Sequence, residues 1–297
     1  MAYDIIIVGA GPAGLSAALY ALRGNKKVLL IEKNTFGGQI INTPRVDNYP
    51  ALPHVSGFDF AKSLYDQVKE LGVEYINEDV LEINDDLEVI TNKNYYQAKA
   101  IILAVGCYHR KLGLENEDKL IGKGISYCAT CDGHFYKDKT TAVIGGGNTA
   151  LEDCLYLSDL CKKVYLIHRR DEFRGDEKTL NELKKRKNVE FILSSNVTKI
   201  IGDDSLEKIE INNKDLLDVD GLFVAIGQVP QTELFGNFLE VDENGYFETF
   251  DGVHTKKSYI YVAGDAKRKY MRQLVYAVSD GALAATVAIQ ELNRKNN

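Results

Sequence analysis

Two cysteines three residues apart, Cys128 and Cys131 in "YCATCDGHFY", are followed directly by Asp132. This spacing serves a reversible redox disulfide, half of a tetrahedral metal site, or two inert thiols. A thiol of ordinary pKa, about 8.5, is only a few per cent thiolate at neutral pH, so a nucleophilic cysteine here needs activation. Asp132 is the candidate acid/base for that proton, provided burial raises its pKa; the alternative is a turn or helix cap. A metal would need further ligands. His134 adds one histidine and there is no second C-x-x-C, which argues against zinc. Cys107 and Cys154 read as small buried hydrophobes, and Cys161 stands near a helix end.

The second chemistry-bearing pattern occurs twice. Ile5 to Val8 reads as a strand buried on both faces, running into Gly9-x-Gly11-x-x-Gly14 and then a helix with Leu15, Leu19 and Leu22 on one face. Gly24 is the expected helix stop, and a second strand, "KKVLLIE", ends at Glu32. This is a βαβ dinucleotide fingerprint: glycines allow close backbone approach, the helix N-terminus faces a pyrophosphate, and the acid accepts from a ribose hydroxyl. Placing Gly9 on Gly145 without gaps aligns Leu15 with Leu151, Leu19 with Leu155, Tyr20 with Tyr156 and Val28 with Val164, so the chain contains an internal repeat. The second copy reads Gly145-x-Gly147-x-x-Ala150. At the position of Glu32 it has His168, followed by Arg169, Arg170 and Arg174. An acid suits a free 2′-hydroxyl, whereas clustered arginines suit a 2′-phosphate through paired, charge-assisted bonds. The first copy therefore reads as an FAD- or NAD-type site and the second as an NADP(H) site. Such a pair suggests hydride passing from NADPH to a flavin, and two electrons from flavin to the C-x-x-C pair.

These sites need elements to position them, and 297 residues favour two domains over one. A formal charge of −7 argues against nucleic acid as a main partner. The basic run Lys184 to Asn188 has no interleaved aromatics and reads as a solvated helix end. No segment approaches the ~20 apolar residues of a membrane span, and the N-terminus lacks a basic leader region. An odd five cysteines in a chain of this size is not a secreted disulfide scaffold. A reducing cytoplasm is the expected setting, where a disulfide is catalytic rather than structural.

The motifs "VGAGPAG", "GGQI" with "DNYP", "ISYCATCDG", "IGGGNTA", "HRRDEFR", "AIGQVPQTEL" and "VAGDAKRKYMRQLVYAVSDGALAA" follow one another along nearly the whole chain. In this combination the chain resembles the low-molecular-weight, bacterial-type thioredoxin reductases of the class-II pyridine nucleotide-disulfide oxidoreductases. The resemblance implies an α/β fold of two Rossmann-like, three-layer ββα nucleotide-binding domains. An NADPH domain, residues 114–243, carries the redox C-x-x-C and is inserted into a discontinuous FAD domain, residues 1–113 and 244–297. Crossovers are expected near Gly113–Asn116 and Glu240–Gly245, and a helix is expected between an N-cap at Ser56 and a stop at Gly72.

By the same resemblance, FAD would be held by Gly9, Gly11, Pro12, Ala13, Gly14, Glu32, Lys33, Gly38, Gln39, Asn48, Val80, Ala104, Gly106, Asp265, Arg272 and Gln273. NADPH would lie along Gly145, Gly147, Asn148, Thr149 and Glu152, with His168, Arg169, Arg170 and Arg174 at its 2′-phosphate and Ile226 and Gly227 beside the nicotinamide half. Cys131 would face the flavin, Cys128 would attack the disulfide of thioredoxin, and Asp132 would move the proton. The inserted domain would rotate between the two half-reactions, in a cytoplasmic homodimer. The chain departs from the family pattern at Val105 for threonine, Leu114-Glu115 for a Pro-Gly-Glu stretch, Gly175 for alanine and Ala51 for glycine. The competing readings are a ferredoxin-dependent or other dithiol-protein reductase of the same fold, and a non-catalytic flavin or nucleotide sensor. The intact Gly145 and Arg169-Arg170 elements speak against ferredoxin, and the complete electron path against the sensor.

Overall fold

Ile5, Ile6 and Ile7 have no solvent exposure, so the strand they form must be covered on both faces. The computed structural model, which describes residues 2–295, shows how. The first segment runs β1 (Ala2–Val8), α1 (Pro12–Arg23), β2 (Val28–Glu32), α2 (Gly57–Glu70), β3 (Glu74–Asn77), β4 (Val80–Ile83), β5 (Glu88–Thr91) and β6 (Tyr95–Leu103). Strands β3, β2, β1 and β6 are parallel in that order, and β5 and β4 extend the sheet antiparallel. Side chains alternate across β1. Ile5 and Ile7 meet Leu15, Ala17 and Ala18 of α1 on one face, while Ile6 and Val8 meet Ile83 and Val89 on the other. Ser56 caps α2, its Oγ accepting the Asp59 N–H at 3.0 Å. At the end of α1, Gly24 keeps an ordinary φ of −81° and Asn25 takes the left-handed conformation instead.

After β7 (Cys107–His109) the chain builds a second unit: α3 (Glu117–Leu120), β8 (Ile125–Ser126), α4 (Ala129–Asp132), β9 (Thr140–Ile144), α5 (Asn148–Ser158), β10 (Lys163–Ile167), α6 (Glu177–Leu183), β11 (Val189–Ile192), β12 (Val197–Ile201), β13 (Lys208–Ile211), β14 (Asp215–Asp218) and β15 (Gly221–Val224). Its central sheet is parallel, in the order β11-β10-β9-β15-β8. Val143, Leu166 and Phe223 pack against Leu151, Cys154 and Leu157 of α5. Ala142, Ile144 and Ile167 pack against Ile200, Ile209 and Ile211 of the antiparallel sheet β12-β13-β14. The repeat seen in the sequence is kept in the strand register: Val8 pairs with Ile31, and Ile144 with Ile167.

The chain then returns through β16 (Gln228–Pro230) and β17 (Ile260–Val262), which adds to β6, and ends in α7 (Leu274–Lys295). Small residues, Ala13 and Ala17 of α1 with Gly281, Ala284 and Ala288 of α7, let these two helices approach closely. The two compact units are Met1–Tyr108 with Val229–Asn297, and His109–Gln228. Both crossovers come earlier in the chain than the polar stretches suggested. Leu112 and Leu114 already pack on the second core, and the amides of Leu112 and Gly113 donate to Glu117 at 2.9 and 2.8 Å. Phe235 and Leu239 bury into the first core beside Phe247, which carries residues 229–243 into the first unit. Among the described residues no helix is long and apolar enough to cross a membrane.

A charged cluster joins α7 to β17. His254 Nε2 lies 2.8 Å from Glu291 Oε1, its Nδ1 meets Asp251, and the buried Tyr261 donates its hydroxyl to Glu291 Oε2 at 2.6 Å. Burial pushes the imidazole pKa down, but the bonds and charges of Glu291 and Asp251 outweigh it and hold His254 above its ordinary value. A raised folded pKa stabilises fully below the unfolded value, about 6.5, and the stabilisation is lost as pH rises through the folded value. His254→Gln should therefore lower Tm most at about pH 6, with the gap to the parent closing toward about pH 9. Thermal unfolding across that range measures it, and a gap independent of pH would contradict it.

Candidate functional site

At the end of β1 the chain turns through Gly9 at φ +101°, where a Cβ would stand 2.4 Å from the Ala104 carbonyl oxygen; only glycine fits. Gly11 is the N-cap of α1 and Pro12 its first residue, so the free amides of the first turn face outward. Gly38 comes over this turn, near enough that a Cβ on it would lie 3.2 Å from Gly11 Cα. The Ala10 amide donates to Glu32 Oε2 at 2.8 Å and the Asn34 amide to Oε1 at 2.9 Å, leaving each oxygen acceptor capacity for a ligand hydroxyl. Asn77, which sequence reasoning missed, donates its amide to the Glu32 carbonyl at 3.0 Å and secures the end of β2.

The other expected first-unit residues fall into small groups. Asn48 Nδ2 donates to Gln273 Oε1 at 3.0 Å, Gln39 donates to the Cys107 carbonyl, and Lys33 donates to Gln231 Oε1 at 2.9 Å. Val80 opens β4, partly buried against the core, and Gly106 turns the chain after β6 at φ +70°. The Arg272 guanidinium lies 3.8 Å over the Tyr246 ring, and its Nε donates to the Asp265 carbonyl at 3.2 Å. The turn carrying Asp265 rests on buried charges that sequence reasoning also missed. Lys267 Nζ is 2.7 Å from Asp280 Oδ1, the Gly264 amide donates to Asp280 Oδ2 at 3.2 Å, and Lys269 Nζ reaches both Asp280, at 3.2 Å, and Asp265 Oδ1, at 2.6 Å. Asp265 Oδ1 is buried and that contact is not aligned as a hydrogen bond.

In the second unit Gly145 follows β9, where a Cβ would lie 2.4 Å from the Ala225 carbonyl oxygen, and Gly147 caps α5 with open space beside it. The arginine loop is stitched onto this turn: the Arg174 amide donates to the Gly146 carbonyl at 2.8 Å and the Asp176 amide to Asn148 Oδ1 at 2.7 Å. Gly175 fits tightly there, since a Cβ would lie 2.5 Å from Leu151 Cδ1. Arg169, Arg170 and Arg174 are exposed, as are Thr149 and Glu152 on α5. His168 is placed differently from these arginines. It is buried beneath Gly146, where a Cβ would lie 2.1 Å from the ring, and it stacks on Phe173. Burial, with the nearby arginine charges, holds its pKa below the ordinary imidazole value. Just past β15, Ile226 is half-buried and Gly227 exposed, and the Gly227 carbonyl accepts the Arg110 amide at 3.0 Å.

The same unit carries the dithiol. Cys128 is the N-cap of α4, and Cys128 and Cys131 are joined as a disulfide, both half-buried with Asp132 behind them. Ser126, at the end of β8 and unremarked in the sequence, donates its hydroxyl to Asp132 Oδ2 at 2.6 Å and accepts the Cys128 amide at 3.0 Å. Cys107, Cys154 and Cys161 are buried and lie outside the disulfide. Burial pushes the Cys107 and Cys154 thiols up to about 12 and raises Cys161 as well, so these three are poor nucleophiles at neutral pH. Among the described residues no three His, Cys, Asp or Glu side chains gather as metal ligands.

A family model described as pyridine nucleotide-disulphide oxidoreductase matches residues 3–281. The chain belongs to this family. It is 40% identical over 291 residues to a thioredoxin reductase of Listeria monocytogenes, covering 95% of this chain and 91% of the relative. Among solved structures it resembles thioredoxin reductase from Streptococcus pyogenes, with a TM-score of 0.93 and 35% identity over 99% of each chain. It also resembles the enzyme from Giardia duodenalis, with a TM-score of 0.92 and 31% identity over 98% of this chain and 99% of that one. A pyridine nucleotide-disulphide oxidoreductase uses a nicotinamide nucleotide and a flavin, and both glycine turns fit such groups. Each leaves a helix N-terminus open, with backbone where a side chain would block approach.

One departure from the family pattern is strained. Ala51, where the resemblance expects glycine, takes φ +68°. An alanine in the left-handed region costs about 1–2 kcal/mol, partly offset by its lower entropy when unfolded. Ala51→Gly in this oxidoreductase should therefore gain about 0.5–1 kcal/mol, read as a higher denaturant midpoint at unchanged slope. A lower midpoint would contradict the strain.

Proposed function

We propose that this chain is a thioredoxin reductase that holds FAD in its first unit and takes its electrons from NADPH. The observation that carries the reading is the half-exposed Cys128–Cys131 disulfide with Asp132 beside it, in the same unit as a glycine turn flanked by three exposed arginines. The flavin, when bound, supplies a centre that accepts hydride from the nicotinamide and gives two electrons to a disulfide.

The chain's own residues supply the rest. The glycine turn of α5 receives the pyrophosphate through its open amides, and Arg169, Arg170 and Arg174 pair with the 2′-phosphate. Glu32 accepts from the free ribose hydroxyl of the adenosine half of FAD. Once the disulfide is reduced, the Cys128 thiolate attacks one sulfur of the thioredoxin disulfide, forming a mixed disulfide and releasing a thiolate on thioredoxin. Asp132 donates the proton that this leaving thiolate takes up. Cys131 then attacks Cys128, which re-forms the intramolecular disulfide and frees the second thioredoxin thiol. The division of labour between the two sulfurs is supported by the resemblance, and the exclusion of the other three cysteines by their burial.

Arg169→Ala and Arg170→Ala should each raise KM for NADPH by about 10- to 100-fold while leaving KM for NADH nearly unchanged, the loss expected for a charge-assisted bond. Initial rates with the two nucleotides measure this, and a parent enzyme that uses NADH as well as NADPH would overturn the assignment. Cys128→Ser and Cys131→Ser should each abolish thioredoxin reduction while NADPH still bleaches the visible flavin band. Retention of disulfide-reducing activity by both variants would overturn the reading.

A further inference from the structure

The Ser126 hydroxyl lies where the two ends of the Cys-x-x-Cys-Asp turn meet. It is 4% exposed, and its strand is fixed by parallel pairing of Ser126 with Phe223 in β15, so it is held by the sheet and not by the turn. Three polar atoms surround Oγ: the Cys128 amide at 3.0 Å, Asp132 Oδ2 at 2.6 Å and the Cys128 carbonyl at 3.3 Å. A hydroxyl has one proton to donate and two lone pairs to accept with. The amide always takes one lone pair, so the remaining lone pair and the single proton must be shared between Asp132 and the Cys128 carbonyl.

Two arrangements keep the serine proton and the Cys128 amide bonded, the Cys128 carbonyl also accepting the Asp132 amide at 3.1 Å. With Asp132 ionised, Ser126 donates to Oδ2, the shorter and charge-assisted bond. With Asp132 protonated, the carboxyl O–H donates into the free lone pair of Oγ, and the serine proton turns to the Cys128 carbonyl. Neither state leaves a buried hydroxyl or the amide unmatched, so the carboxyl changes protonation without moving. The geometry points to Ser126 as the positioning residue for Asp132, a two-state hydroxyl that aims the carboxyl in both protonation states and ties it to the backbone of Cys128. This inference rests on the proposed function, in which Asp132 exchanges a proton with the reacting thiols; Ser126 touches none of the reacting atoms and acts through Asp132. Each turn of the switch moves one proton onto or off Asp132 and rotates one serine O–H, with no change in electron count.

The test is the pH dependence of kcat/KM for thioredoxin in the flavin-loaded enzyme. Ser126→Ala removes a donor that favours the ionised carboxylate, so the alkaline limb, where the acid is lost, should move to higher pH. The rate at neutral pH should fall about tenfold, the loss expected for one hydrogen bond to a charged group. Ser126→Thr, which keeps the hydroxyl, should restore the parent limb if it folds with the parent Tm. In an Asp132→Asn background the alanine substitution should have almost no further effect, because the two groups act as one. A uniform loss of rate with an unmoved limb would overturn the inference and mark Ser126 as a backbone prop for Cys128. Full additivity of Ser126→Ala with Asp132→Asn would overturn it independently. If the parent enzyme itself fails to reduce thioredoxin, it is the proposed function that falls, which these variants do not confuse with failure of the switch.

Discussion

Parallel strands can be joined only by crossovers that carry the chain back to its starting end, so the carboxyl ends of all strands in a parallel sheet gather at one edge. The placement of the glycine turns, the acid or histidine after the second strand of each repeat, and the dithiol follows from that constraint. In the first unit the edge holds Gly9 after β1, Glu32 at the end of β2, Asn77 at the end of β3, Ala104 after β6 and the Asp265 turn after β17. In the second it holds Gly145 after β9, His168 after β10, Ile226 after β15, and Ser126 with Cys128 at the end of β8. Helices α1 and α5 begin at the same edges, so their unpaired amides face the region where a pyrophosphate needs donors. Strand direction alone thus brings residues distant in sequence to one rim within each unit.

Much of this rim was legible because it is written in patterns that sequence carries well. The βαβ repeat shows as matched apolar positions, and the pairing of Val8 with Ile31 and Ile144 with Ile167 reproduces the alignment of Gly9 with Gly145. The Ser56 cap was legible for the same reason, since a side-chain acceptor followed by an amphipathic run is a local signal. What was not legible depends on long-range packing. The stretch around Glu240–Gly245 has the composition of a linker, yet the boundary lies upstream because Phe235 and Leu239 find places in a core built mostly from residues before 104. Ser126 stands in a two-residue strand too short to show a period. Asp280 and Lys267 sit among alanines and tyrosines with no local sign that they are partners thirteen residues apart.

Buried ionic groups of the last kind call for explanation, because desolvating two charges costs several kcal/mol before any attraction is counted. Here the cost is met by completeness: Asp280 receives Lys267, Lys269 and the Gly264 amide, so neither carboxylate oxygen is left bare. The arrangement ties the turn after β17 to α7. An apolar replacement could pack the same volume, but it would not hold the Gly264 amide in place or leave Lys269 poised between Asp280 and Asp265.

The two copies of the repeat also show how charge at one edge can be reversed without disturbing a sheet. Glu32 is tied by two backbone amides, so its negative charge is fixed at the rim, where a phosphate on the ribose would meet repulsion. At the equivalent position His168 has turned inward beneath Gly146, and burial favours its neutral form. The rim is thereby cleared for Arg169, Arg170 and Arg174, whose guanidiniums stay in solvent. One copy presents negative charge held by two amides and the other exposed positive charge on the same backbone. Because the arginines are exposed, their pull on a phosphate is screened by salt over about 10 Å, whereas the exclusion by Glu32 acts at contact distance and is screened far less. Under the proposed function, the first copy would therefore exclude a ribose phosphate through a charge held by two amides, and the second would attract one through exposed charges.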